Sequence, residues 1–281
     1  AQNGHKEIVN ALLDVTGINV NTANQYGDTA LIFAAAYGHT DIVNALLAGD
    51  EIEINARNQH GSTALNWAAQ NGHIDTVKSL LDKDANVNAI DYYRNAALIL
   101  AAEKGHIKIV KALLDVKGIN VNTANQHGST ALIYAAQNGR KEVVDALLYE
   151  NAKVNVRSLK GNTALIWAAT NGHTDIVNAL LAKEGIDVNA ADQHGGTALI
   201  WAAAEGHTLV VNALLDKEGI EVNAANEDGD TALIIAAVKG HTDTVKALLE
   251  KGANVNAANQ QGVTALIWAA AEGHTLVVNA L

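Results

Sequence analysis

Residues 161–194 read GNTALIWAATNGHTDIVNALLAKEGIDVNAADQH, and this stretch decides the fold. Thr163 precedes the helix formers Ala164, Leu165, Ile166, Trp167, Ala168 and Ala169. Its hydroxyl is placed to cap a helix by accepting from an otherwise unpaired backbone N–H. Gly172 follows about one helix length later, where a left-handed residue ends a helix. His173, Thr174 and Asp175 then offer capping oxygens and negative charge at a second helix start. Ile176, Val177, Leu180 and Leu181 recur on one apolar face of that helix, and Gly185 ends it. Ile186, Val188 and Ala190 alternate with Asp187 and Asn189, which predicts a short extended segment leading into turn residues 192–195. One unit is therefore helix, turn, helix and a hairpin-like loop.

The unit returns along the whole chain. Its opening residue is Gly27, Gly61, Arg94, Gly128, Gly161, Gly195, Gly229 and Gly262, at intervals of 34, 33, 34, 33, 34, 34 and 33. A period of this length marks a repeat architecture, in which each unit buries its apolar face against its neighbours. The expected fold is an all-α solenoid with no internal boundary. It has a partial repeat over residues 1–26, seven complete repeats over 27–261 and a truncated one over 262–281. Residues 197–214 recur unchanged as 264–281, and 38–48 as 172–182, which implies recent duplication or deliberate assembly.

Composition narrows the function classes. A formal charge of −11 argues against nucleic acid or an anionic membrane as partner, because both need clustered Lys and Arg. No apolar run nears the ~20 residues that span a bilayer, and no signal peptide is present, so a soluble, cytoplasmic-type chain is expected. There is no Cys, and hence no disulfide or thiolate site. Pro and Met are absent too, even at position 1, which reads as a processed or cut piece and as a chosen sequence as readily as an evolved one.

Candidate chemistry dissolves into the period. His5, His39, His73, His106, His173, His207, His241 and His274 share one slot after the helix-ending Gly, with Arg140 in the remaining unit. Stacked helices lie about 8–10 Å apart, too far for neighbouring imidazoles to share a zinc ion with bonds near 2 Å. Hydrogen bonding in the turn is the expected role. The recurring Asn21, Asn55, Asn88, Asn122, Asn155, Asn189, Asn223 and Asn256 are expected to tie loop backbones together. No nucleophile elbow, phosphate loop, dinucleotide fingerprint or metalloprotease helix occurs. No catalytic, cofactor or metal site is expected.

These slots together resemble the ankyrin repeat, whose T-P-L-H-x-A-A…G-H…V-N-A pattern is matched through essentially the whole chain. Two departures are systematic. The family's Pro is Ala throughout, as at Ala164 and Ala198, and its His after the Leu is Ile, or Asn at Asn66. The resemblance implies a non-catalytic scaffold that presents a concave surface of loop tips and first helices to a protein or peptide. Carried over, the tip candidates are Tyr26, His60, Tyr92, Tyr93, Arg94, His127, Lys160, His194 and Asp228, with Asp28, Ser62, Asn95, Ser129, Asn162, Gly196 and Asp230 beside them. The groove candidates are Tyr37, Gln70, Asn71, Glu103, Lys104, Gln137, Asn138, Asn171, Glu205 and Lys239. His60, His127 and His194 are either solvated or partner contacts.

Two features stand outside the consensus. Phe33, Trp67, Tyr134, Trp167, Trp201 and Trp268 share one slot, which reads as packing between repeats or as a partly exposed ladder of anchors. Tyr92-Tyr93-Arg94 replaces the usual Gln-His-Gly, and the capping Thr becomes Ala96. Arg94 should be strained where other units place Gly, and the tip is either drift or a hot spot. Leu266, Ile267 and Val277 should be exposed in the last repeat, so weak end-to-end self-association is expected. Two readings stay open: an interaction module, and an engineered ankyrin scaffold with no biological partner.

Overall fold

The computed structural model describes residues 1–281 and is helical throughout, with isolated β-bridges and no longer strand. Its helices are α1 (Lys6–Leu13), α2 (Ala30–Ala36), α3 (Thr40–Leu47), α4 (Ala64–Asn71), α5 (Ile74–Leu81), α6 (Ala97–Lys104), α7 (Ile107–Leu114), α8 (Ala131–Gln137), α9 (Lys141–Tyr149), α10 (Ala164–Thr170), α11 (Thr174–Leu181), α12 (Ala198–Ala204), α13 (Thr208–Leu215), α14 (Ala232–Lys239), α15 (Thr242–Glu250), α16 (Ala265–Ala271) and α17 (Thr275–Ala280). The chain forms two compact units: residues 1–135 with 146–152, and residues 136–145 with 153–281.

Every helix is six to nine residues long, too short to persist alone in water. Stacking supplies the stability. In the first unit α2 packs on α4 and α4 on α6, while α1, α3, α5 and α7 follow one another in a second row. In the second unit α10, α12, α14 and α16 make the first row, and α11, α13, α15 and α17 the second. The consensus apolar residues lie between the rows. Leu165, Ala168, Ala169, Val177 and Leu180 are all almost completely buried, as are their equivalents Leu199, Ala202, Ala203, Val211 and Leu214.

The first-helix caps form as the sequence predicts. Thr163 Oγ1 accepts from Ile166 N at 3.2 Å, and Thr29, Thr197, Thr231 and Thr264 do the same in their repeats. Ala96 caps α6 with no side-chain bond. The second helices differ from expectation. Their N-cap is the His, which makes no capping bond, and the following Thr lies inside the helix. Thr40 and Thr208 instead bond the buried Thr76 and Thr244 of the next repeat, at 2.8 and 3.0 Å, satisfying hydroxyls that occupy an otherwise apolar slot.

The helix-ending glycines are left-handed as expected, and a second reason fixes them. Gly172 has φ +70°, and a Cβ there would meet the His207 ring of the next repeat at 2.7 Å. His207 Nε2 donates to the Thr170 carbonyl at 3.1 Å. The His slot is thus a tie between repeats rather than within one turn. The extended segment at 186–190 is not a strand: Val188 and Asn189 form a turn, and a single bridge joins Ala191 to Thr197. The Asn that ends this segment holds the next loop, as expected. Asn189 Nδ2 donates to the Gly219 carbonyl at 2.7 Å, and Glu221 N donates to Asn189 Oδ1 at 2.9 Å. In the last repeat Ile267 is 52% exposed, but Val277 is 0% exposed, because α16 covers it from within the same repeat.

Candidate functional site

The hairpin tips are built on the side chain of the first turn residue, a role beyond the turn position that the sequence marks at 192–195. Asn58 Oδ1 accepts from His60 N and Ser62 N, while Gly61 N donates to the Asn58 carbonyl, closing the turn around one side chain. Asn24, Asp91, Asn125, Asp192, Asn226 and Asn259 repeat this geometry or part of it. The signal was available: an Asn, Asp or Ser stands three residues before every opening Gly or Arg. The same amide reaches back to the preceding tip. Asn58 Nδ2 donates to Asp28, Asn125 Nδ2 to Asn95, and Asn259 Nδ2 to Asp230. Backbones join too, with Gln59 N donating to Tyr26 O, Tyr92 N to His60 O, and Gln193 N to Lys160 O.

This tying sorts the tip candidates. Ser62, Ser129 and Gly196 are buried, and Asp28, Asn95, Asn162 and Asp230 are half-buried, so the third tip position belongs to the framework and not to the free surface. Tyr26, His60, Tyr92, Tyr93, Arg94, His127, Lys160, His194 and Asp228 all remain exposed. Each groove pair splits. Gln70, Glu103 and Gln137 are half-buried, whereas Tyr37, Asn71, Lys104, Asn138, Asn171, Glu205 and Lys239 face solvent. Asn71 Nδ2 donates to the Ala36 carbonyl and Asn171 Nδ2 to the Trp167 carbonyl.

The aromatic slot is half-buried at Phe33, Trp67, Tyr134, Trp167, Trp201 and Trp268. These rings both pack and line clefts between successive first helices. One cleft of about 300 Å³ lies between Phe33 and Trp67, bordered by Asp28, Tyr37 and Asn71. Another of about 290 Å³ lies between Trp167 and Trp201, bordered by Lys160, Asp192 and His194. Trp201 Nε1 donates to Asp192 Oδ2 at 2.9 Å, whereas the buried Trp67 Nε1 has no acceptor. No three His, Asp and Glu side chains converge at a distance that would hold a metal ion.

Tyr92-Tyr93-Arg94 forms the most exposed aromatic tip. Tyr92 is 67% and Tyr93 53% exposed, and Arg94 sits at φ +64°. Tyr92 is nonetheless held in place. Its ring lies under the Arg57 guanidinium at 5.7 Å and against Gly61, where a Cβ would approach to 2.7 Å. Arg57 is itself fixed by bonds to the Gly61 and Ile90 carbonyls.

Two-helix units stacked in rows, with side-chain-closed hairpins tied tip to tip, define a helical repeat protein. The model for ankyrin repeats (3 copies) matches residues 1–91, 92–158, 152–226 and 218–281, and the chain belongs to the ankyrin repeat family. Among solved structures it is similar to the ankyrin repeat protein EF0377, with 31% identity and a TM-score of 0.62 over 65% of this chain and 94% of that one. No curated protein matches it. Ankyrin repeats generally mediate protein–protein binding and are typically non-catalytic. No helix is long and apolar enough to cross a membrane.

Proposed function

We propose that this chain is a non-catalytic binding scaffold that meets a protein partner through its hairpin tips and exposed first-helix positions, with Tyr92-Tyr93-Arg94 at the energetic centre. The observation that carries this reading is a strained tip that presents two tyrosines. A non-glycine residue in the left-handed region costs about 1–2 kcal/mol, and Ala96 gives up a cap worth about 1 kcal/mol. Both coincide with tyrosines of which one is already immobilised by Arg57 and Gly61, and pre-fixed aromatics lose little entropy on binding. We propose separately that copies associate weakly end to end through the exposed Leu266 and Ile267.

A photo-reactive amino acid at His60, the neighbouring tip, tests the reading in an extract of cells that carry the gene. Adducts are expected from position 60 and not from Lys108, which is exposed on α7. They should vanish when Tyr92→Gln, Tyr93→His and Arg94→Gly are combined. Adducts that survive this change, or form equally from position 108, overturn it. The second reading, a scaffold assembled without a partner, is favoured by the unchanged recurrence of 197–214 as 264–281. It predicts silence from every cross-linking position.

A further inference from the structure

The cleft between Trp167 and Trp201 holds a buried carboxylate, Asp192, that makes no ion pair, although the Arg157 guanidinium bonds the carbonyl of the adjacent Ala191. Asp192 is only 9% exposed, and its donors are three neutral N–H groups: His194 N and Gly196 N to Oδ1, and Trp201 Nε1 to Oδ2. No Lys, Arg or His lies within ion-pair distance of it. Buried carboxylates are ordinarily paired with a cation. Three donors also leave about one of the carboxylate's four lone-pair positions open, on Oδ2. Both indoles line the same cleft, and their ring faces carry negative potential that attracts cations. Gly196 keeps the arrangement open, since a Cβ there would meet Trp201 Nε1 at 2.5 Å.

We propose that this cleft receives an arginine side chain of the partner, an inference that rests on the protein-binding reading and names the chemistry of one anchor. A guanidinium is flat, stacks on indole and donates to carboxylate, so it fits both the walls and the floor. A cavity of about 290 Å³ accommodates one such side chain with its alkyl stem. The rim is mixed. Glu227 lies 3.6 Å from His194 Nδ1, and Lys160 is the one cation that borders the cleft, which makes it a competitor for the same carboxylate.

The test uses the whole chain and Nα-acetyl-arginine amide, with Nα-acetyl-citrulline amide as the uncharged isostere. The indole N–H resonances of the four tryptophans are followed by NMR. Saturable shifts are expected at Trp167 and Trp201 but not at Trp67 or Trp268, with citrulline about fivefold weaker. Trp167→Leu leaves Asp192 and its donors in place and should weaken arginine binding by a similar factor. Lys160→Gln should tighten it. Equal binding of both probes, indifference to Trp167→Leu, or weakening by Lys160→Gln overturns the proposal. None of these results involves the partner or the Tyr92 tip. Failure here therefore leaves the broader reading standing, whereas failed cross-linking at position 60 with normal arginine binding removes the partner and not the preference of the cleft for a guanidinium.

Discussion

Trp67 and Trp201 occupy the same slot in different repeats, yet only one of them is hydrogen-bonded, and this contrast yields a controlled stability experiment. Substituting each by Phe removes the same atoms from a half-buried ring, so the loss of burial largely cancels between the two variants. The remainder is the polar contribution. Trp201→Phe deletes a 2.9 Å bond to Asp192 Oδ2 and leaves that carboxylate oxygen without its donor. A bond to a charged group contributes about 1.5–3 kcal/mol, taken at the lower end because Trp201 is half exposed to water. Trp67→Phe deletes no bond, and it removes a buried N–H that has no acceptor. Such an orphan costs about 1–3 kcal/mol. Trp201→Phe should therefore be the more destabilising by about 2.5 kcal/mol, the two lower ends added together. Long repeat arrays unfold without full cooperativity, so a global midpoint is not the right measurement. Hydrogen exchange of the α12 and α4 amides reports local opening in each repeat. Equal losses, or a larger loss for Trp67→Phe, would refute the hydrogen-bond assignment. Trp67→Tyr supplies a further check. Asn125 Nδ2 donates to Tyr134 Oη at 3.0 Å, and Asn58 stands in the same relation to position 67, so the tyrosine should be more stable than the phenylalanine.

Three further outcomes follow from the same framework. Arg94→Gly and Ala96→Thr should each raise the local stability of the α6 repeat by about 1 kcal/mol, measured by exchange at the α6 amides, while Arg94→Gly weakens partner capture. Gly172→Ala should be destabilising by more than about 1 kcal/mol, because φ is +70° and the His207 ring stands 2.7 Å from the new Cβ. His207→Ala should recover part of that loss, so the double-mutant cycle must be non-additive. Ile267→Lys places a charge on a 52% exposed apolar position and should abolish any concentration-dependent sedimentation of the wild-type chain.

The sequence shows element order and the core because both repeat: a Thr before Ala-Leu recurs seven times, a Gly after the first helix nine times, and paired apolar residues return with them. Ties between neighbouring repeats are harder to see, because each pairs two residues about 30–37 apart with no common motif. The His slot illustrates this. Its period is plain, but that it reaches the preceding first helix, and thereby forbids a side chain on the preceding Gly, depends on three-dimensional stacking. The third tip position shows the opposite error. Its variation between Asp28, Ser62, Asn95 and Gly196 looks like freedom from packing, whereas Asp28, Asn95 and Gly196 each suit a particular neighbour. Asp28 accepts from Asn58, and Gly196 clears space for Trp201 against Asp192. Variation within a repeat array thus has two sources, exposure and pairwise matching across the stack. Only residues that vary and also remain exposed, such as Tyr26, Tyr93, Lys160 and Glu205, can be exchanged without dismantling a tie.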